Sequence, residues 1–405
     1  SDATAPSGAA GDDWTTSALM ADLNGDALPD IYAVNYLSGD VFERNCENHG
    51  VPMQCAPTMF PGAQDRLYLS NGDGSFRDAT DAAGIRVPDG KGLGIVAADF
   101  DGSGRLSLFI ANDTTANFFW VNESRDPGGI PKLVERAISS GVAFDAEGRA
   151  QACMGIGAAD CDGNGLLDLF VTNFYNESNT LYLQRSPLQF SDETRPAGLR
   201  DPGFARLGFG TQFLDGELDG WPDLVVTNGH INDFHDEKIP YRMSPQYYRN
   251  RGAGRFDEAS SQVLGPYFAG AYLGRALAKL DWNADGLADF VVTHVDRPPA
   301  LLTNRTERIG KYIALELRGV AGERDAIGAT VRVRVGGREW LQQVTAGDGF
   351  ECTNQRRLIF GLGDAGSVDE CTIRWRSGHE QSYRDLEPGQ THLVIEGRPQ
   401  LLRLP

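Results

Sequence analysis

The sequence predicts an all-β chain, a five-bladed β-propeller followed by a smaller C-terminal β-sandwich-like domain. A larger ring would need blades that the sequence does not display. Three observations lead there. A nine-residue acidic turn recurs five times between short apolar runs, at intervals of 77, 61, 55 and 66 residues. Further strand-like runs follow each turn, giving four-stranded units, and such a sheet buries both faces only by packing against radial neighbours. The charge also changes near residue 304, with 22 basic and 42 acidic residues up to Asn304 but 15 and 14 from Arg305 onward.

A chain of 405 residues exceeds the ~250–300 at which single cores stop growing, so two domains are expected, 1–304 and 305–405. Hydrophobic residues at 41% and charged residues at 23% are ordinary for a globular chain. No run approaches the ~18 apolar residues of a membrane span, and the start lacks a leader pattern, so membrane insertion is not expected. The net charge of −19 belongs to the first three quarters. That argues against nucleic acid and anionic membranes as partners there, since both need basic surfaces, and favours cations. Only five of the 37 basic residues are Lys, a bias expected of a GC-rich bacterial genome.

The turns carry their oxygen-bearing residues at positions 1, 3, 5 and 9. These are Asp22, Asn24, Asp26 and Asp30; Asp99, Asp101, Ser103 and Ser107; Asp160, Asp162, Asn164 and Asp168; Asp215, Glu217, Asp219 and Asp223; and Asp281, Asn283, Asp285 and Asp289. Hard cations such as calcium take six to eight oxygens, and a tight turn with ligands on alternate residues points them inward. Four to five calcium ions are therefore expected. The second turn is the weakest, because serine replaces two carboxylates. The spacing opens like an EF-hand loop, but the glutamate needed at position 12 is absent and strand-like runs flank every turn.

A third strand follows each hairpin, as in Arg66-Leu-Tyr-Leu and Thr180-Leu-Tyr-Leu, and a fourth carries Phe76-Arg-Asp-Ala-Thr80, Phe190-Ser-Asp-Glu-Thr194 or the looser Phe256-Asp-Glu-Ala-Ser260. The last blade lacks this strand. Because Asp2-Ala-Thr4 repeats Asp78-Ala-Thr80, the N-terminus is expected to supply it and close the ring. The C-terminal runs Tyr312–Leu317, Ala329–Val335 and Cys371–Arg376 alternate as a small sandwich would, and their arginines are expected to pair with the acidic propeller.

The acidic turns resemble the FG-GAP/VCBS repeats of integrin-type propellers. Asp325-Ala-Ile-Gly-Ala-Thr-Val331, Thr345-Ala-Gly-Asp-Gly-Phe350, Arg357-Leu-Ile-Phe-Gly-Leu-Gly-Asp364 and Ile373-Arg-Trp-Arg-Ser-Gly378 resemble the ASPIC/UnbV domain, as do Pro61-Gly-Ala-Gln-Asp-Arg-Leu-Tyr68 and Thr227-Asn-Gly-His230. Departures are Ala27, Ala284, Ser107 and Glu351-Cys352. The resemblance implies a secreted calcium-binding propeller with a C-terminal β-domain. Animal members are matrix proteins and UnbV is named from antibiotic gene clusters, which implies no particular reaction.

Six cysteines permit three disulfides. Cys46 with Cys55 would pin a surface loop and Cys352 with Cys371 would bridge neighbouring strands, favouring an oxidising compartment, secreted or periplasmic; six reduced thiols are the alternative. Cys153 and Cys161 bound one strand, roughly 25 Å apart, and cannot pair with each other.

Antiparallel strands place all acidic turns on one face and the second-to-third connections on the other. Long insertions, 36–64 and 229–245, lie on that second face, and long loops are more often functional. Second strands end in Asn35, Asn112, Asn173, Asn228 and His294, an expected ligand-binding ring that could equally cap strand ends. His230, Glu177 and Arg206 are the acid–base candidates near them, alongside Asp65, Asp113, His235, Asp236 and Cys153. A His230–His235 metal pair is disfavoured by its spacing. Two functions fit. One is a calcium-binding propeller that binds a glycan, protein or small molecule on the face opposite its calcium turns. The other is a calcium-dependent enzyme of natural-product biosynthesis, a cyclase, lyase or isomerase, working at that funnel.

Overall fold

Each acidic turn closes a β-hairpin, and each hairpin grows into a small antiparallel sheet. In the computed structural model every residue is described except Ser1, Ala3, His49, Pro88, Asp236, Glu237, Arg308 and Pro405. Blade 1 orders Thr15–Ala21, Asp30–Asn35, Arg66–Ser70 and Phe76–Asp78 from inside outward; blade 3 repeats this with Ile156–Ala159, Asp168–Val171, Thr180–Ser186 and Gln189–Asp192. Blade 2 runs from Gly92–Ala98 to Leu133–Glu135 and blade 4 from Gly208–Leu214 to Phe256–Glu258. Among the described residues blade 5 has three strands, Gly274–Leu280, Asp289–His294 and Ala300–Leu302.

The cores lie between blades, so strands bury both faces. Val96, Phe109 and Phe119 of blade 2 pack on Ile156, Leu169 and Tyr182 of blade 3, and Phe170 and Leu181 of blade 3 on Phe213, Leu224 and Tyr248 of blade 4. All residues of Ser107–Asn112 and of Gly208–Leu214 are buried for this reason. The recurring Asp and Thr of the fourth strand tie it down locally. Thr80 and Thr194 hydroxyls accept the amides of Leu67 and Leu181 at 3.1 and 2.9 Å, while Asp78 and Asp192 accept the amides of those threonines.

Among the described residues the N-terminus adds no fourth strand to blade 5. Thr4–Ser7 form a helical turn, and a Cβ on Gly8, which has φ +76°, would lie 2.6 Å from the Phe76 carbonyl oxygen. Gly198 meets the Phe256 oxygen in the same way at 2.7 Å. The N-terminal segment is thus the crossover that leads into blade 1, the place that the segment after Phe190–Thr194 takes before blade 4. Its Asp-Ala-Thr likeness to 78–80 falls just before that crossover, and the strand expected there runs over Ser1 and Ala3, which lie outside the described residues.

After Leu302 the chain enters two packed four-stranded sheets. One orders Arg357–Gly363, Lys311–Arg318, Gln390–Ile395 and Leu402–Leu404; the other orders Arg338–Gln343, Thr330–Val335, Val368–Arg374 and Glu380–Leu386. Ile313, Leu315, Val331, Phe360 and Ile373 share one continuous core with Leu19, Ile95 and Leu108 of blades 1 and 2.

A segment of this second unit enters the ring. Ala346–Gly347 pair antiparallel with Val96 and Ala97, adding a fifth strand on the inner edge of blade 2. Gly349 bridges to Ile156 of blade 3, Asn354 bonds Gln212 of blade 4 at 2.9 Å, and the Asn354 side-chain oxygen accepts the Lys279 amide of blade 5 at 2.7 Å. A Cβ at Gly347, with φ +78°, would stand 2.1 Å from the Ile95 oxygen, so only glycine permits this approach. Thr345-Ala-Gly-Asp-Gly-Phe350 is therefore the plug of the propeller channel.

Candidate metal turns and the two faces of the ring

The third turn shows how the acidic motif folds. Asp160 Oδ1 accepts the amides of Gly163 and Asn164 at 2.9 and 3.0 Å, and its Oδ2 accepts that of Gly165 at 2.9 Å. The first-position carboxylate thus winds the turn around itself. The ninth position has a second duty. Asp168 accepts Cys161 N at 2.9 Å and Gln184 N at 2.8 Å, tying turn to third strand, and Asp30, Asp223 and Asp289 repeat the strand bond. In blade 2 the Ser107 hydroxyl accepts the equivalent amide, from Asn122, at 3.1 Å.

Asp160, Asp162 and Asp168 offer carboxylate oxygens within 4.8 Å of one another, and this triad could hold a metal. Burial, with neighbouring carboxylates, pushes Asp160 up to about 6 and Asp168 up to about 8, a charge cost that a cation relieves. The donors are all oxygen, which suits a hard ion. Among the described residues it is the one such cluster. Asn24 and Asn283 replace the middle carboxylate in turns 1 and 5, and in turn 4 Glu217 is drawn to Arg249. Ala27, Leu218 and Ala284 also take positive φ, at roughly 1–2 kcal/mol each, where turn 3 places Gly163 and Gly165.

One repeated feature escaped the sequence reading. The side-chain amides of Asn122, Gln184, Asn250 and Asn304 each reach the second-position carbonyl of the preceding blade's turn, on Leu23, Phe100, Cys161 and Gly216, at 2.7–3.0 Å. Blade 1 has Ser70 at this place, and Trp282 of turn 5 is exposed. The signal was present as an amide residue, a charged residue and then a small one at the end of the third strand.

The expected pairing of C-terminal arginines with the propeller is present, and it falls on the turns themselves. Arg374 pairs with Asp99 at 2.9 Å and Arg357 with Asp281 at 3.0 Å, while Arg376 donates to the Asp22 carbonyl at 2.7 Å. Three further side chains read the backbone of first-position residues: Glu323 accepts Asp22 N, Gln343 accepts Asp99 N and Gln355 accepts Asp281 N, at 2.7–3.0 Å. Trp340 lies against Gly220 and Tyr312 against Gly286. The turn face is therefore the docking face of the C-terminal domain. Beside the plug a cavity of about 380 Å³ remains, lined by Met20, Leu214, Lys279, Leu341, Asp348 and Asn354 among others.

On the opposite face the asparagines do not form a free ring. Asn35, Asn112, Asn173 and Asn228 are buried, and each donates to a carbonyl of its own connection, on Gln64, Ala116, Ser178 and Ser244, at 2.7–2.8 Å. They close loops by saturating backbone oxygens, as the capping alternative anticipates. His294 bonds Tyr267 at 2.8 Å.

The acid–base candidates do not converge either. His230 is buried among Phe174, Tyr175 and Phe234, its Nδ1 accepts Asn232 N at 3.0 Å, and burial lowers its pKa. Glu177 accepts Ala152 N at 2.9 Å and burial raises it. Arg206 Nε is buried without a partner. Among the described residues no hydrogen bond or ion pair joins the three. Asp65 is fully committed to Asn35 N and Tyr32, whereas Asp113 accepts from Tyr36 through Oδ2 and keeps a buried Oδ1 without a partner. His235 is exposed beside Asp233, and Asp236 lies outside the described residues. Sequence reading missed Arg275, stacked 4.0 Å over Phe209 and held near 10 by burial, close to Glu351 from the plug. The two insertions meet where Gln54 N donates to Asn232 Oδ1 at 2.9 Å.

Cys46 and Cys55 form the expected disulfide, but the expected Cys352–Cys371 bridge is absent. Cys352 travels with the plug and lies on the Leu277 carbonyl at 3.1 Å, whereas Cys371 is buried in a sandwich strand. Cys153 and Cys161 are buried free thiols.

Comparison with known proteins supports the sequence motifs. Residues 319–400 match the family described as ASPIC and UnbV, and 214–292 the FG-GAP-like repeat. Cartilage acidic protein 1 is 23% identical over 387 residues in both Homo sapiens and Mus musculus, covering 94% of this chain and 53% and 54% of theirs. The chain spans about half the length of the curated relatives it matches. Among solved structures, an Agrocybe aegerita lectin that recognises non-reducing terminal N-acetylglucosamine overlaps 71% of this chain and 66% of its own, with 17% identity and a TM-score of 0.36. The Dos1 propeller overlaps 96% and 92%, with 10% identity and a TM-score of 0.28. Likenesses so slight bear on neither ligand nor reaction. The chain carries an ASPIC/UnbV domain and an FG-GAP-like repeat, and is a distant homologue of cartilage acidic protein 1.

Proposed function

We propose that this is a secreted or periplasmic propeller that holds calcium in its acidic turns and binds a glycan, protein or small molecule on the face opposite them. One observation carries the reading: the C-terminal domain covers the turn face and fills the channel, so the insertion-bearing face is the one left to a partner. Its surface suits that use. Phe42 is 81% exposed and packs at a tilt against Trp14, ring centroids 4.9 Å apart, and the disulfide Cys46–Cys55 pins the same insertion. Exposed aromatics beside polar loops are typical contact residues. Calcium is favoured over softer metals because the turn donors are all oxygen. The single disulfide suits an oxidising compartment. The enzymatic alternative needs His230, Glu177 and Arg206 to act on one reacting centre, and each is held by a different neighbourhood.

A glycan array read with labelled protein in calcium tests the binding face. Signal should fall in Phe42→Ser and Tyr175→Ala and persist in Arg384→Ala on the C-terminal domain. Signal lost only in the last variant would move the site there, and a blank array would remove glycans from the reading.

A further inference from the structure

The five acidic turns differ in what faces the first-position aspartate, the residue around which each turn is wound. In turns 2 and 5 a guanidinium from the C-terminal domain bonds it directly, whereas in turn 1 Arg376 bonds the Asp22 carbonyl at 2.7 Å and stays 3.7 Å from its carboxylate. Asp99 Oδ2 lies 2.9 Å from Arg374, which also donates to the Gly102 carbonyl at 2.6 Å. Asp281 Oδ2 lies 3.0 Å from Arg357, which is itself fixed by two bonds to Glu316 Oε1 at 2.9 and 3.1 Å. Both aspartate side chains are essentially inaccessible, at 1% and 0% exposure. The third turn is different. Arg332 approaches only the Gly165 carbonyl, at 3.5 Å, and the nearest guanidinium to its carboxylates is the half-exposed Arg185 of the same blade, 3.4 Å from Asp162.

A guanidinium is a permanent cation with donors in fixed directions and no acceptor, so it can satisfy a buried carboxylate but cannot share that oxygen with a divalent ion. Turn 2 has lost two carboxylates to Ser103 and Ser107, whereas turn 5 keeps Asp281, Asn283, Asp285 and Asp289. From this geometry we infer that Arg374 and Arg357 are built-in cations that replace the metal in turns 2 and 5, so that the C-terminal domain neutralises two of the turns it touches and leaves calcium to the others. The inference rests on the calcium reading for its ion, but it stands on residues separate from the triad.

The test is calcium bound per full-length chain, counted by equilibrium dialysis at saturating calcium after the protein has been stripped with chelator. Arg357→Gln should bind one more ion than wild type, because it frees a turn with a complete ligand set. Asp285→Ala alone should leave the wild-type count unchanged, and Arg357→Gln with Asp285→Ala should return to it. Asp101→Ala should also leave the count unchanged. Loss of one ion in Asp285→Ala, or no gain in a folded Arg357→Gln, would overturn the inference; if Arg357→Gln does not fold, the Asp285→Ala count decides alone. Failure of the calcium reading itself shows elsewhere, as a count that Asp160→Ala does not lower.

Discussion

Replacing Asn250 with alanine removes one of the amides that fasten neighbouring blades. Asn250 is buried; its Nδ2 donates to the Cys161 carbonyl of the preceding turn at 2.9 Å and to Pro222 O at 3.0 Å, and its Oδ1 accepts Gly252 N at 2.9 Å. Alanine leaves two carbonyls and one amide without this partner, and Cys161 is wholly buried. An unsatisfied buried polar group costs about 1–3 kcal/mol, and the outermost amide regains water, so the expected loss is about 3 kcal/mol. Urea unfolding with an unchanged slope reads this as a lower midpoint. The control is Asn71→Ala, whose side chain bonds only Ser75 and Arg77 at the surface and should change stability by less than about 0.5 kcal/mol. A loss below about 1 kcal/mol in Asn250→Ala would refute the idea that these amides hold the ring together.

Two other expectations follow from buried groups. Burial pushes Asp65 up to about 7, against 3.8 for the free carboxyl. Between those values the folded state keeps a proton that the unfolded chain has released, so this group's contribution is full below about pH 4 and is lost as pH rises to 7, on the order of 4 kcal/mol. Melting across that range should show a shallower fall for Asp65→Asn than for wild type, and equal slopes would contradict the burial argument. Phe350, at the tip of the plug, packs edge-on against Phe209 at 5.1 Å with Met154 and Met243. Phe350→Ala should cost about 3–5 kcal/mol by thermal or urea unfolding. A loss under 1 kcal/mol would mean that the segment does not seat in the channel.

Much of the fold was legible because the acidic turn is both a strand-reversal signal and a fixed register mark. Once Asp22, Asp99, Asp160, Asp215 and Asp281 were aligned, strand order and the two faces followed from alternation of direction. What stayed hidden depends on contacts between distant segments. Asn250 carries no signal of its own until the neighbouring blade's carbonyl is seen beside it. Thr345–Phe350 is legible only as part of the ASPIC/UnbV resemblance, and nothing local says that Gly347 pairs with Val96. The Cys352 expectation failed for the same reason, since the plug carries that thiol into the channel and away from Cys371. On the opposite face, residue type suggested a site, but His230 Nδ1 and the Glu177 carboxylate accept backbone amides and Asn173 Nδ2 donates to the Ser178 carbonyl, bonds that periodicity does not reveal.

The central claim, that the acidic turns hold a calcium-like ion, is tested most directly by terbium luminescence. Trp221 lies against turn 3, where a Cβ on Gly163 would be 3.1 Å from its ring, and it belongs to turn 4 itself. Terbium is a hard oxygen-seeking ion of the kind these donors favour. Exciting tryptophan in the terbium-loaded wild type should give sensitised emission that calcium displaces. Asp160→Ala should weaken it, and Asp160→Ala with Asp215→Ala should abolish what Trp221 sensitises, as Trp221→Phe should. Absent emission in the wild type, or emission unchanged in the double variant, would contradict the account.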